Sequence, residues 1–250
     1  GSKLNISGEL VAGRNATLEA LRANVPAQEL IVARSIDIDD RITESLQISL
    51  KRGLSIREVH RAELEGISPN SQGIALAIKP YQYSSLVEIL QRAQKPGLIV
   101  ALDGVTDPHN FGACLRVADG AGVNAVVVPK DRSASINATV SKVSSGASEV
   151  MPVITVTNLV RSMKEMQEAG VWLIGTDDEA EKSIYDIDLT GSVAIVMGAE
   201  GEGMRRLTRE TCDELVRIPM QGVVSSLNVS VASGVCLYEA LRQRQAKLAK

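Results

Sequence analysis

The stretch Ser192-Val-Ala-Ile-Val-Met-Gly-Ala-Glu-Gly-Glu-Gly203 decides the fold of the C-terminal part of this 250-residue chain. Residues 193–197 are all apolar, which is typical of a strand that is buried on both faces. Gly198, Gly201 and Gly203 then let the backbone pass close to a ligand or adopt a positive φ angle without steric cost. We therefore predict a buried strand that ends in a glycine-rich turn beside a ligand.

A second predicted strand begins at Leu215 and is ended by Pro219, and a loop of small polar residues follows it up to Asn228. A long helix is predicted after this loop. We expect this strand to lie next to the 193–197 strand, so that the two strand ends and their loops form a crevice. In open parallel sheets, ligands bind in such crevices at the carboxyl ends of strands.

The chain alternates between apolar strands and amphipathic helices from residue 97 onward. Strands are predicted at 98–102, 125–128, 153–156, 171–175, 193–197 and 215–218, and helices near 109–120, 135–147, 158–169 and 203–212. This alternation predicts an α/β domain, residues 97–250, with a mostly parallel sheet that helices cover on both faces.

Residues 4–80 are predicted to form a smaller α/β domain, and residues 81–96 a linker. Asn15 is the predicted N-cap of a first helix, and Asp39-Asp40 opens a second helix that stops at Gly53. Strands are predicted at 29–33, 55–59 and 73–78, and His60 is assigned to a strand.

The composition limits the classes of partner. A net charge of −3 and 2% aromatic residues leave neither a broad basic surface nor a base-stacking platform, so contact with nucleic acid requires a local patch. The three cysteines, Cys114, Cys212 and Cys236, lack zinc spacing and fit a reduced compartment. No apolar run reaches the ~18 residues of a membrane span. We expect a cytoplasmic protein with no bound metal and no membrane contact.

The segment from Asp103 to Arg116 is the first of three that carry candidate chemistry. Asn110 lies six residues before Arg116, so a helix that starts near Asn110 places Arg116 less than two turns further on. By itself, the segment is more typical of a helix start capped by Asn110, followed by a solvated arginine, with Asp103 and Asp107 as other candidate caps.

The other two segments are also weak signals by themselves. Residues 198–203 have the spacing G-x-x-G-x-G, which differs from the G-x-G-x-x-G dinucleotide fingerprint. Residues 225–230, Ser-Ser-Leu-Asn-Val-Ser, are typical of a capped helix start.

Together, the three segments resemble the SpoU family of RNA ribose 2′-O-methyltransferases, within the SPOUT class, over nearly the whole chain. They occur in the family's order and with its spacing. The residues that match the family's catalytic motifs are Asn110, Arg116, Glu200, Ser226 and Asn228.

The N-terminal domain is similar to the family's small RNA-binding domain, which resembles ribosomal protein L30e. The similarity lies in residues 13–22 and 71–75. Asn70 is a departure, because related chains often carry His there. The resemblance implies transfer of a methyl group from S-adenosylmethionine to a ribose 2′-hydroxyl, that of a guanosine in 23S ribosomal RNA.

The resemblance also implies a fold feature and a cofactor site. The C-terminal segment is expected to form a deep trefoil knot, and the domain to work as a homodimer whose final helix packs across the interface. Small residues on that helix, Ser230, Ala232, Ser233 and Gly234, permit close approach of helices. The expected cofactor contacts are Thr176, Gly198, Ala199, Gly203, Ile218, Met220 and Leu227.

Arg116 is expected to act on the hydroxyl that accepts the methyl group. Because arginine keeps its proton in proteins, we expect it to hold the adjacent phosphate and the developing alkoxide, with the proton lost late or through a water. Asn110, Glu200, Ser226 and Asn228 would orient Arg116, the cofactor and the ribose.

Three alternatives remain at this point. A transfer RNA substrate is disfavoured because the transfer RNA enzymes of the family lack the N-terminal domain. A non-catalytic RNA-binding protein on the same fold is disfavoured because Arg116, Glu200 and Asn228 are present. A nicotinamide-dependent oxidoreductase is disfavoured by the glycine spacing.

Overall fold

The computed structural model describes residues 4–6, 8–199 and 201–250. It divides the chain into two compact units. The first contains the chain up to Gln82 together with Ile136–Gly146, and the second contains Tyr83–Ser135 and Ala147–Lys250. None of the helices in these described ranges has the length and apolarity to cross a membrane.

The helices and strands follow one another along the chain in this order: β1 (Leu10–Ala12), α1 (Arg14–Arg22), β2 (Ala27–Ala33), α2 (Asp40–Lys51), β3 (Ser55–Val59), α3 (Arg61–Ile67), β4 (Ile74–Ile78), α4 (Leu86–Arg92), β5 (Leu98–Asp103), α5 (Pro108–Gly120), β6 (Ala125–Pro129), α6 (Ala138–Val143), α7 (Ala147–Val150), β7 (Val153–Val156), α8 (Leu159–Glu168), β8 (Trp172–Thr176), β9 (Lys182–Ser183), a 3₁₀ helix (Ile184–Asp186), β10 (Val193–Gly198), α9 (Arg206–Thr211), β11 (Glu214–Arg217) and α10 (Val229–Leu248).

The first unit is built on a four-stranded mixed sheet in the order β1-β4-β2-β3. The predicted start of α2 is confirmed, because the Asp39 carboxylate accepts a hydrogen bond from the Ile42 backbone N–H over 3.0 Å. The predicted cap at Asn15 is wrong. The cap and the helix start lie two residues earlier: Gly13 occupies the cap with a φ of 104°, which glycine adopts readily, and the helix begins at Arg14. His60 follows β3 and caps α3 instead of lying in a strand.

Helix α6 belongs to the first unit, although the strands before and after it in the chain belong to the second. Its first N–H, that of Ala138, donates to both carboxylate oxygens of Glu9 over 3.0 and 3.1 Å. Lys142 forms an ion pair of 2.8 Å with Glu19. The prediction of a single helix over 135–147 is wrong. Helix α6 ends at Val143, because Ser145 and Gly146 adopt positive φ angles.

The second unit is built on a seven-stranded sheet in the order β7-β6-β5-β10-β8-β11-β9. Every pair of neighbouring strands is parallel, which confirms the predicted parallel sheet. Its central strands β5, β6 and β10 are almost wholly buried, in line with their continuous apolar sequences. One expectation is corrected, because β10 and β11 are not neighbours: β8 lies between them.

Helix α10 packs on α5 within the same chain. Ala232 and Ser233 are buried there, and the Ser233 hydroxyl lies 3.2 Å from the Met197 sulfur. These two residues were expected to permit approach of a partner's helix, and that expectation is wrong for them. The apolar side chains that α10 leaves exposed are larger: Val231, Tyr238 and, at its end, Leu248.

Candidate functional site

A cavity of about 760 Å³ opens at the carboxyl ends of β8, β10 and β11 in the second unit. The predicted crevice is thus present, with the end of β8 at its centre. All of the predicted cofactor contacts line it: Thr176, Gly198, Ala199, Gly203, Ile218, Met220 and Leu227. The predicted catalytic residue Ser226 lines it as well.

The glycine-rich turn after β10 forms one wall of the cavity. Ala199 and Gly203 pair across the turn, with the Gly203 N–H donating to the Ala199 carbonyl over 2.7 Å. The backbone doubles back so tightly that a Cβ on Gly198 would lie 2.1 Å from the Gly203 carbonyl carbon. Only glycine fits there. Glu200, which is predicted to be catalytic, lies outside the described residues.

Charged side chains that the sequence analysis did not single out also line the cavity. Asp177 follows β8 and forms an ion pair of 3.0 Å with Arg209. Arg217, at the end of β11, donates to the backbone carbonyls of Ala180 and Glu181. The acidic run that follows β8 at a strand end was the available signal in the sequence.

Asn110 and Asn228 meet, although they come from different predicted segments. The Asn228 side-chain amide donates to the Asn110 side-chain oxygen over 3.0 Å. Asn228 also caps α10, because its oxygen accepts from the Ser230 backbone N–H over 2.9 Å. The cap of α5 is Asp107, which accepts from the Asn110 N–H over 3.2 Å, so Asn110 as a cap is wrong.

Arg116 lies on α5 with its side chain exposed. Within the described part of the chain it makes no hydrogen bond and no ion pair, so its guanidinium can take a ligand from solvent. Neither Arg116 nor the Asn110–Asn228 pair lines the cavity. The structure therefore gathers the predicted cofactor contacts in one cavity. It joins two of the predicted catalytic residues, Asn110 and Asn228, by a hydrogen bond.

Asp103, at the end of β5, is fully buried. Its carboxylate accepts from the Arg205 backbone N–H over 3.1 Å, from the Arg205 Nε over 3.0 Å and from the Thr208 hydroxyl over 2.9 Å. Burial opposes ionisation, but these donors outweigh it and hold the pKa of Asp103 below its usual range. Asp103 is therefore a buried anion and not a helix cap.

Metal ligands do not cluster in the described ranges, where no three His, Cys, Asp or Glu side chains come together as a metal site.

Two family models match the chain. The SpoU rRNA Methylase family matches residues 97–238, and a family described as RNA 2′-O ribose methyltransferase substrate binding matches residues 10–84. These matches confirm the resemblance that the three segments carry.

Relatives and solved structures agree with these matches. The chain is 53% identical to the 23S rRNA (guanosine-2′-O-)-methyltransferase RlmB of Vibrio cholerae, over 96% of this chain and 99% of the relative. It is 51% identical to the enzyme of the same name from Ralstonia nicotianae, over 97% and 98% of the two chains. The SpoU methyltransferase AviRb from Streptomyces viridochromogenes, solved in complex with AdoMet, covers 95% of this chain and 90% of its own, with a TM-score of 0.67 and 26% identity. This chain thus belongs to the SpoU rRNA methylase family.

Proposed function

We propose that this protein transfers a methyl group from S-adenosylmethionine to the ribose 2′-hydroxyl of a guanosine in 23S ribosomal RNA. The observation that carries the proposal is the 53% identity to an enzyme named for this reaction, over 96% of the chain. The substrate-binding family match at residues 10–84 supports RNA as the substrate. The cavity supports a bound small molecule.

The cavity fits S-adenosylmethionine in size and in lining. Its volume of about 760 Å³ falls in the range of about 300–1,000 Å³ that is usual for pockets that hold small molecules. Gly198 and Gly203 have no side chains that would fill the space beside the turn, so backbone N–H and C=O groups can reach a ligand. We expect Gly198, Ile218, Met220 and Leu227 to hold the cofactor.

Arg116 is the residue that we expect to meet the ribose. Bound S-adenosylmethionine supplies an electrophilic methyl group on a positively charged sulfur. The chain has to position the 2′-hydroxyl and stabilise the charge that develops on its oxygen. The free guanidinium of Arg116 can hold that oxygen and a neighbouring phosphate by paired N–H donors. Since arginine stays protonated, the hydroxyl proton leaves through a water.

Asn110 and Asn228 act together in this scheme. Their hydrogen bond ties the first turn of α5 to the start of α10. Arg116 follows Asn110 on the same helix, so the bond sets the position of the helix that carries Arg116. Ser226 and Glu200 would orient the ribose and the cofactor end.

Further features belong to the proposal. We infer that the C-terminal segment forms a deep trefoil knot, which the family match over residues 97–238 supports. We infer a homodimer through α10, because Val231 and Tyr238 lie seven residues apart on that helix and are 52% and 50% exposed. We place the L30e-like domain at residues 4–80, the linker at 81–96, the catalytic domain at 97–250 and the protein in the cytoplasm.

The test is mass-spectrometric mapping of 2′-O-methyl groups in RNA from a strain that lacks the gene. We expect one guanosine of 23S ribosomal RNA to lose its methyl group and to regain it when the purified protein and S-adenosylmethionine are added. Loss from a transfer RNA would instead support the transfer RNA alternative. Unchanged methylation of all RNA would support a non-catalytic RNA-binding protein.

A further inference from the structure

We propose that Asp103 is a positioning residue for methyl transfer, which holds the glycine-rich turn of the cavity against the loop that leads from β5 to Asn110 on α5. The effect of Asp103 on catalysis rests on the proposed function. Its effect on the position of the turn rests on the contacts of the Asp103 carboxylate alone.

Asp103 lies where the loops of three neighbouring strands meet. The strand order β6-β5-β10 places β5 in the middle, and Asp103 is in register with Gly198 of β10. Arg205 comes from the chain that follows the turn after β10. Arg132 comes from the loop after β6, with its Nε 3.6 Å from the carboxylate. One buried carboxylate thus contacts the loops on both sides of its own.

Every polar contact that Asp103 makes with Arg205 and Thr208 comes from a donor. Three of these contacts come from nitrogens of Arg205: its backbone N–H, its Nε and its Nη2. A carboxylate only accepts, so it matches this set, whereas an amide would turn a donor N–H₂ toward donors. Loss of the charge would also weaken the ion pair of 3.0 Å that Asp103 forms with the Arg205 side chain, and with it one tie between the sheet and the chain after the turn.

Gly104 shows how closely the loop after β5 packs against Arg132. Its φ angle is +98°, and a Cβ there would lie 2.7 Å from a terminal nitrogen of Arg132 and 3.7 Å from the Ala199 Cβ. The loop therefore leaves the sheet directly against Arg132 and the glycine-rich turn. Since Asp103 is fully buried and does not line the cavity, it cannot touch the substrate and must act through the turn.

Asp103→Asn in the full-length protein tests this role, with Glu210→Gln as the matched control. Glu210 is also a carboxylate paired with an arginine, but its pair with Arg206 is exposed on α9. We expect hydrogen exchange of the backbone amides of residues 201–205 to speed up roughly 10-fold in Asp103→Asn, because local opening becomes easier. We expect kcat to fall roughly 100-fold, as it does when reacting groups are misplaced. KM for RNA should stay within about twofold, since Asp103 does not meet solvent.

Arg205→Gln and the double variant with Asp103→Asn complete a cycle. If the two residues act as one unit, the double variant loses no more activity than the worse single variant. Glu210→Gln should leave exchange and turnover unchanged. A general loss of folding would instead speed exchange throughout the central strands of both units, and would overturn a specific role in the turn.

The outcomes separate this inference from the proposed function. If the unmodified protein transfers no methyl group to RNA, the proposed function fails, and the exchange measurement still decides whether Asp103 holds the turn. If the unmodified protein is active and Asp103→Asn keeps both its turnover and its exchange pattern, the positioning role of Asp103 is overturned.

Discussion

Asn228 donates a hydrogen bond to Asn110 over 3.0 Å, although 118 residues separate the two in the chain. The same Asn228 side chain accepts from the backbone N–H and the hydroxyl of Ser230, over 2.9 and 2.6 Å. One amide thus caps α10 with its oxygen and holds α5 with its nitrogen. The segments that contain Asn110 and Asn228, each a weak indication of function by itself, are thus joined by a hydrogen bond in the folded chain.

Breaking this bond should lower turnover without unfolding the protein. Asn110→Leu keeps the size of the side chain but removes the acceptor, and we expect kcat to fall about 10-fold because α5 loses its fixed position. The free energy of unfolding should fall by about 1 kcal/mol, the usual worth of one hydrogen bond. Steady-state kinetics and urea unfolding measure the two effects.

Asn228→Ser separates the bond from the cap. Serine is a good N-cap but is too short to reach Asn110, so the free energy of unfolding should fall by about 1 kcal/mol, as in Asn110→Leu, with no further loss from the cap. Turnover should fall as far as in Asn110→Leu. A fully active Asn228→Ser variant would show that the link between the helices does not matter for transfer.

Arg116→Lys should remove activity and leave the fold untouched. Lysine keeps the positive charge but lacks the fork of donors, and Arg116 has no partner among the described residues that the change would strand. We expect kcat to fall roughly 100-fold with an unchanged melting temperature and unchanged affinity for S-adenosylmethionine. Calorimetry and methyl-transfer kinetics measure these quantities. Full turnover with unchanged RNA affinity would exclude a specific role for the guanidinium.

Gly198→Ala should damage both stability and cofactor binding. Its Cβ would lie 2.1 Å from the Gly203 carbonyl carbon and 2.2 Å from the Met204 nitrogen, so backbone has to move. We expect a loss of about 3 kcal/mol or more in the free energy of unfolding, together with loss of S-adenosylmethionine binding. Gly191→Ala is the control, because no atom lies within 4 Å of a Cβ at Gly191. Equal stability of the two variants would contradict the close passage at Gly198.

The three cysteines should resist alkylation in the folded protein at pH 8. Burial raises the pKa of Cys114 to about 11 and the pKa values of Cys212 and Cys236 to about 12. A thiol with a raised pKa stays protonated until the pH exceeds that value, and only the thiolate reacts. Labelling at pH 8 should be roughly 200-fold slower for Cys114, and roughly 2,000-fold slower for Cys212 and Cys236, than for a free thiol of pKa near 8.5. All three should react in denaturant, and rapid labelling of any one in the native state would contradict its burial.

Most of the strands could be predicted from the sequence, because buried parallel strands are short apolar runs between polar helices. The runs at residues 193–197 and 125–128 are examples. Helix ends were harder to predict. The N-cap of α1 is Gly13 instead of Asn15, and the helix predicted near 135–147 is interrupted at Ser145. The φ angles at helix ends depend on the direction of the following chain, which tertiary packing sets.

The sequence by itself determined the family and the parallel sheet, since these depend on local patterns and motif spacing, and the family resemblance supplied the expected cofactor contacts, but not the charged residues of the cavity. Only the tertiary structure decided which strands are neighbours, and it placed β8 between β10 and β11. It also decided that Asp103 is a buried anion under the glycine-rich turn and that Asn110 meets Asn228. Such partners lie about a hundred residues apart, and nothing in either local pattern encodes the other, because packing of the sheet brings them together.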